Sequence, residues 1–443
     1  MDVQATPHTT PHNDKVTLME AKTPNRKLFF RNTFFQYLLQ GAQYIFPLIT
    51  IPYLTRVLGP DVYAVRAYVY AAMAFLQTII NYGFNTYGTR VIALASAEGK
   101  SLDAPTSAII FLRLALCLVG SAILCIAIPL IPILAQNPLY AMVAFVNICL
   151  TAMLPDFIFQ GIEDMRIITK RYVASQIVAV TCIFLFIKGP EQLLLVPIFE
   201  TVATFIALTW SWVDVFLVRH IRIARVSGKQ LIRMFKEATA FFASNAADTV
   251  LTSLTTLLIG IYITNEADIS YWSLAMMVVS AIQALYAPIA NSLYPHMIKR
   301  RDFKLARKLL ILGTIAALIG SIAYALLSDV IMAVIGGPEY AEGAYIIALT
   351  APLLLFSYVV IILGFPVLAA VGKIKTLTAT TFVAAGFQIA GFILLIALGC
   401  FDIFTVAILR NLTEFVFMLC RLICALPYLR RSQESPSKPL GKP

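Results

Sequence analysis

Runs of about 20 apolar residues recur along the whole chain, and a run of that length is what a helix needs to cross the hydrocarbon core of a bilayer. Twelve can be read, near 28–58, 63–86, 106–134, 140–160, 172–187, 192–217, 238–264, 269–294, 309–335, 344–371, 377–398 and 403–426. Backbone N–H and C=O groups inside lipid must pair with one another, so these runs predict an all-α polytopic membrane protein. With 60% hydrophobic and only 13% charged residues, a soluble globular domain is excluded. Residues 1–27 are polar and contain prolines, which predicts a tail and not a cleavable signal peptide. Six of the seven cysteines fall inside apolar spans, all but Cys400, without paired spacing, and they read as packing residues. Four scattered histidines build neither a metal site nor a triad, so no metal and no cofactor is expected.

The net charge of +11 would suit nucleic acid, but its placement follows the membrane instead. The tails and the loops after even-numbered spans hold 28 of the 34 basic residues, and the opposite loops hold only Lys188 beside seven acids. By the positive-inside rule both termini are cytoplasmic, in a multi-pass protein of the cytoplasmic membrane. The basic loop Arg219–Lys236 divides the spans into two sixes, giving a tail at 1–27, bundles at 28–217 and 238–426, a linker at 218–237 and a second tail at 427–443. A shift of 206 lays Gln77 on Gln283 and Asn85 on Asn291, and one of 207 lays Tyr87 on Tyr294. The expectation is two pseudo-symmetric six-helix bundles around a central cavity.

Polar residues line up on helical faces within these spans. Gln36, Gln40, Gln43, Pro47 and Thr50 share one face of the first span, and Arg66, Tyr70, Gln77, Asn81 and Asn85 follow one another along the second. Glu200 and Asp214 stand on the sixth span, Asp248 on the seventh, and Arg410, Glu414 and Arg421 on the twelfth. Amides of this kind also serve as interhelical glue, and Arg56, Arg66, Asp214 and Arg421, near helix ends, can reach the interface. Arg113, Asp156, Glu200 and Asp248 are harder to explain that way, because a charge deep in the bilayer costs about 2.5–3.5 kcal/mol on the mildest scale. They should face a polar interior, while Arg410 and Glu414 at i and i+4 can neutralise each other.

The first two spans carry FPLITIPYLTRVLGPDVYA and then NYGFNTYGTRVIA. This pair of segments resembles the N-terminal signature of the bacterial polysaccharide (O-antigen, Wzx-type) flippases of the multidrug/oligosaccharidyl-lipid/polysaccharide (MOP) exporter superfamily. The likeness rests on Pro47, Pro52, Tyr53, Leu54, Thr55, Arg56, Leu58, Gly59 and Tyr63, then Gly83, Phe84, Asn85, Thr89, Arg90, Ile92 and Ala93. The chain departs from that pattern at Ala64, where glycine is common, and at Arg66.

The resemblance implies a transporter, not an enzyme: a flippase that moves undecaprenyl-diphosphate-linked oligosaccharide repeat units across the bilayer by alternating access. Polysaccharide polymerase and glycosyltransferases would be its partners, and a proton or sodium gradient its driving force. Arginines suit phosphates and amides suit sugar hydroxyls. Arg56, Arg66, Arg113 and Arg410 are therefore candidates for the anionic part, and Gln40, Gln43, Gln77 and Asn81 for the sugar-facing wall. Asp156, Glu200, Asp248 and Glu414 are candidates for ion coupling. The rival readings are a multidrug cation antiporter of the same superfamily and a membrane-embedded glycosyltransferase or polymerase. The latter would need a catalytic loop with paired carboxylates, and every outer loop is short. No P-loop pattern is present.

Overall fold

The computed structural model describes residues 26–263 and 265–430, so the tails assigned to 1–27 and 427–443 lie largely outside the described residues. Helices follow one another throughout, with no strand among the described residues. Ten segments are long and apolar enough to cross a membrane. One of them, Arg31–Ala97, doubles back on itself, and the more polar helix Gly228–Tyr262 adds another crossing, which brings the spans to twelve.

The doubling back happens inside Arg26–Asn81, at Gly59 (φ 73°, ψ 169°) followed by Pro60. A side chain there would be strained, whereas glycine takes a positive φ at little cost. The ends of the hairpin show the reversal. Thr169 donates to the Phe35 carbonyl at 2.8 Å, Tyr53 to Ile187 at 2.6 Å at the opposite end of the bundle, and Tyr82 lies back at the first end, 3.3 Å from the Thr239 hydroxyl. Pro47 and Pro52 lie inside the helix, which stays helical through both. Each proline removes one backbone donor while its ring holds a helical φ.

Two lobes result, and they repeat one another's packing. Met165–Phe186 packs on Leu195–Val213 as Ile374–Ala397 packs on Ile403–Arg430; Pro138–Ala152 packs on Leu195–Val213 as Pro352–Ile362 packs on Ile403–Arg430; and Arg26–Asn81 meets Met165–Phe186 as Gly228–Tyr262 meets Ile374–Ala397. This is the twelve-helix, two-bundle arrangement that the apolar runs predict.

The spans are more broken than their hydropathy suggests. The fourth stops at Ala152 and restarts at Asp156 after Pro155, the ninth breaks at Leu327, and the tenth breaks at Ala351 and again at Gly364. Every break leaves carbonyls without helical partners, and neighbouring helices supply donors. Arg113 and Trp212 donate to Leu154 and Met153, Ser321 to Ala351, Asn411 to Leu349 and Arg421 to Val360.

The lobes meet along one seam over the full height of the bundle. Tyr68 lies against Gly260, Thr78 bonds Thr249 at 2.7 Å, and Tyr82 stacks on Phe235 and Phe242 at 4.1 and 4.5 Å between ring centres. On the other side, Arg26–Asn81 packs on Glu266–Ala284, whereas Ala287–Arg300, the rest of that span, packs inside its own lobe against Leu363–Ala369 and Pro352–Ile362. The lobes are therefore sealed at the end bearing the Gly59 turn and part toward the end bearing the basic loops.

Gly83 tests the seam. Its φ is 74°, and a Cβ would stand 2.5 Å from Phe241 Cβ and 2.9 Å from the Phe242 backbone nitrogen. Neither atom can rotate away. Gly83→Ala should destabilise purified protein by about 1–3 kcal/mol, read as a lower melting temperature. Gly41→Ala, with open space around it, should leave melting unchanged.

Candidate functional site

A cavity of about 460 Å³ opens inside the first lobe. The polar face of the first span reaches it through Gln43, Pro47 and Thr50. The opposite, apolar face of that helix is exposed at Phe34, Leu38, Ile45 and Ile49. At 100° per residue these two sets stand on opposite sides, so the spacing that puts amides on one stripe also puts hydrocarbon on the other. Gln77, Asn147 and Gln176 add amides, and Tyr70, Tyr140 and Tyr172 add amphipathic rings.

Two ion pairs sit in this cavity wall. Arg66 Nη2 lies 3.4 Å from Glu200 Oε1, with its guanidinium 5.7 and 5.2 Å from the ring centres of Tyr63 and Tyr70. Asp156, the first residue after the Pro155 break, pairs with Arg171, which also donates to Ser211 at 2.7 Å. Arg171 corrects the sequence reading, which placed it in the basic loop before the fifth span. The helix starts at Met165, so residue 171 is already two turns inside, and its side chain is only 3% exposed. Arg66 likewise does not reach the membrane surface but turns inward to Glu200.

The second lobe holds a cavity of about 570 Å³ lined by Asp248, Gln283, Asn291, Tyr294, Thr381 and Arg421 among others. Gln77 and Gln283, matched by the repeat, thus stand in corresponding cavities. Arg421 Nη1 donates to the Val360 carbonyl at 2.6 Å, and its guanidinium lies 4.1 Å from the Phe417 ring centre. Room for it comes from Gly364, where a Cβ would stand 2.8 Å from Nη1. Among the described residues no carboxylate lies within ion-pairing distance of Arg421, and no basic side chain within that distance of Asp248. Sequence spacing gave Arg421 no special standing, since only the fold shows that it opens into a cavity.

The remaining candidates lie outside both cavities. Arg56 joins the lobes at the sealed end, donating to Pro52 of its own helix and to Val334 and Ala333 at the C-terminal end of Ser328–Ile335. Thr55 adds a bond to Ile335 at 2.8 Å, and Ser270 one to Pro60 at 2.5 Å. Arg113 is 1% exposed, bonded to Asn85 Oδ1 at 2.6 Å. Arg410 is held by Glu414 at 2.8 Å with both side chains buried. Asp214 pairs with Arg219 at 3.2 Å. Gln40 and Asn81 are half-buried and line neither cavity.

A family described as polysaccharide biosynthesis protein matches residues 29–300, more than half of the chain. The chain belongs to that family. The chain is 26% identical over 324 residues to a candidate O-antigen transporter of Shigella dysenteriae, spanning 71% of this chain and 80% of that one. It is 22% identical over 335 residues to a candidate O-antigen transporter of Escherichia coli K12, spanning 74% and 80%. Among solved structures it is similar to an inward-facing multidrug resistance MATE family transporter of the MOP superfamily, with a TM-score of 0.71, 10% identity and coverage of 89% and 96%. It is also similar to the lipid II flippase MurJ in an inward closed conformation, with a TM-score of 0.67, 14% identity and coverage of 91% and 90%. The family member therefore has the fold of the MOP exporters.

The Arg410–Glu414 pair has a structural signature that can be measured. Breaking a buried pair leaves one charge stranded at a cost of about 3–5 kcal/mol, while replacing both members by apolar groups is close to neutral. Arg410→Met should lower the melting temperature sharply, and Arg410→Met combined with Glu414→Leu should recover most of the loss.

Proposed function

We propose that this protein is a flippase that moves undecaprenyl-diphosphate-linked oligosaccharide repeat units across the cytoplasmic membrane by alternating access. The observation that carries the reading is the first-lobe cavity: a water-accessible wall of amides, tyrosines and paired charges inside a bundle whose outside is hydrocarbon. A sugar chain cannot shed its water into lipid, and a wall of this kind replaces that water with hydrogen bonds. Membership of the polysaccharide biosynthesis family and the likeness to O-antigen transporters and to a lipid II flippase fold support the same cargo.

The positive-inside rule puts the basic end of the bundle, with both termini, in the cytoplasm. The lobes then part toward the cytoplasm, on the side where the first and eighth spans separate, and the polyprenyl tail can remain in lipid there while the sugars enter. Arg421 is the cation best placed for the diphosphate, because it borders a cavity and has no carboxylate partner. Asp248 is the coupling candidate with the same standing, whereas Asp156, Glu200 and Glu414 are each held in an ion pair. The outer seal is the set of bonds from Thr55, Arg56 and Ser270 to backbone carbonyls, which must break for the cavity to open outward.

Export of a lipid-linked repeat unit should be measured in cells lacking their own flippase, beside efflux of cationic drugs. Restored export without drug efflux is expected, and the reverse pattern would overturn the reading in favour of a multidrug antiporter. At equal protein levels, Arg421→Ala should reduce export at least tenfold, and Asp248→Asn should make the remaining export insensitive to collapse of the proton and sodium gradients. Full export by Arg421→Ala would remove the phosphate role.

The outer seal is tested separately. In a background without native cysteines, Ser270→Cys should react slowly with a membrane-impermeant maleimide added outside, and Arg56→Ala should raise that rate several-fold. An unchanged rate would mean that Arg56 does not hold the seal.

A further inference from the structure

We infer that the first-lobe cavity selects uncharged sugars and rejects repeat units that bear acidic sugars; this rests on the flippase reading above. Four charged side chains line the cavity, two arginines and two carboxylates, and they pair off completely. The pairs are not presented evenly. The side chains of Glu200 and Asp156 are 23% and 26% exposed, whereas those of their partners Arg66 and Arg171 are 11% and 3% exposed.

The arginines have further neighbours besides their carboxylates. Arg66 lies 5.7 and 5.2 Å from the ring centres of Tyr63 and Tyr70, and Arg171 is bonded to Ser211. Each carboxylate uses one oxygen for its arginine, Oε1 of Glu200 and Oδ1 of Asp156. The second oxygen of each makes no ion pair among the described residues, and each carboxylate is the more exposed member of its pair.

Sugar hydroxyls fit such a surface. They donate to carboxylate and amide oxygens and accept from the amide N–H groups of Gln43, Gln77 and Asn147, which share the same wall. A uronic acid carboxylate does not fit. It meets two carboxylates first, and to reach either guanidinium it must displace a partner and strand that partner's charge in a buried site. Like-charge repulsion at a few ångströms in a protein interior is worth a factor of ten or more in occupancy. The pattern is therefore a filter by charge, with Glu200 and Asp156 as the residues that set it.

The test uses cells without a flippase of their own that build one of two repeat units, one composed of neutral sugars only and one carrying a uronic acid. Surface polysaccharide per unit of this protein is measured for each, and the acidic-to-neutral ratio is the readout. The parent chain should give a ratio below about one tenth. Glu200→Gln and Asp156→Asn keep the shape of the side chains but release an arginine, and each should raise the ratio about tenfold; Arg66→Gln should not raise it. A parent ratio near one, or a ratio that neither carboxylate variant raises while the protein is present at parental levels, would overturn the filter. Failure to export the neutral unit at all would instead overturn the flippase reading, so the two ideas fail in different ways.

Discussion

In hydrocarbon a carbonyl without a donor has no water to turn to, and the spans of this protein break often enough to create many such carbonyls. The fold depends on side chains that cross to a neighbouring helix to satisfy them. Arg113 and Trp212 serve the break before Pro155, Asn411 and Ser321 the break at Ala351, and Arg421 the wound-out turn at Gly364. Each such bond ties two spans together, so the breaks are also the points at which each lobe is fastened. This explains why a guanidinium as deep as Arg113 is tolerated: it exchanges water for Asn85, for a stranded carbonyl and for the face of Phe157 at 5.2 Å.

The same chemistry at the lobe boundary has a different consequence. Arg56 and Thr55 cap the C-terminal end of Ser328–Ile335 from the other lobe, where a cation also meets the negative end of the helix dipole. A hydrogen bond is worth only about 0.5–1.5 kcal/mol net when both partners can return to water. A seal made of a few such bonds at the water-facing end holds one conformation without locking it. By contrast, the seam through Tyr68, Tyr82 and Phe242 is packed largely ring on ring or ring on glycine, with polar bonds joining Thr78 to Thr249, Tyr82 to Thr239 and Tyr87 to Glu237.

Much of this was legible in the residues. The spacing of the apolar runs carries the twelve spans and the repeat of six, because hydrophobic length and charge bias are one-dimensional properties. The stripe Gln43, Pro47 and Thr50 is legible because a helix turns periodicity into a face, and that face does line the cavity. Depth and partnership are not one-dimensional. Arg171 sits beside Lys170 in sequence and reads as loop, and only the helix start at Met165 and the carboxylate of Asp156, fifteen residues away, show it as an interior charge. Arg56 and Arg421 both lie near helix ends, yet one ties lobes together and the other borders a cavity, and the difference is made by Val334 and Gly364, far off in the chain.

The two cavities are built on one repeated plan and differ in how their charges are compensated. In the first lobe Arg66 and Arg171 each have a carboxylate at hand, and the wall is balanced and rich in amides. In the second, Asp248 and Arg421 share the lining without forming an ion pair, beside the apolar side chains Ile361, Phe365, Pro366 and Ile374. The cargo proposed above, with a glycan, a charged diphosphate and a hydrocarbon tail, calls for such unlike surroundings within one protein. Duplication of a six-helix unit supplies two cavities at equivalent positions, and divergence of a handful of side chains sets their charge compensation apart. The opening hairpin matters because it reaches both lobes: its polar face walls the first cavity, and its turn carries Arg56 to the carbonyls of Ser328–Ile335 in the second lobe.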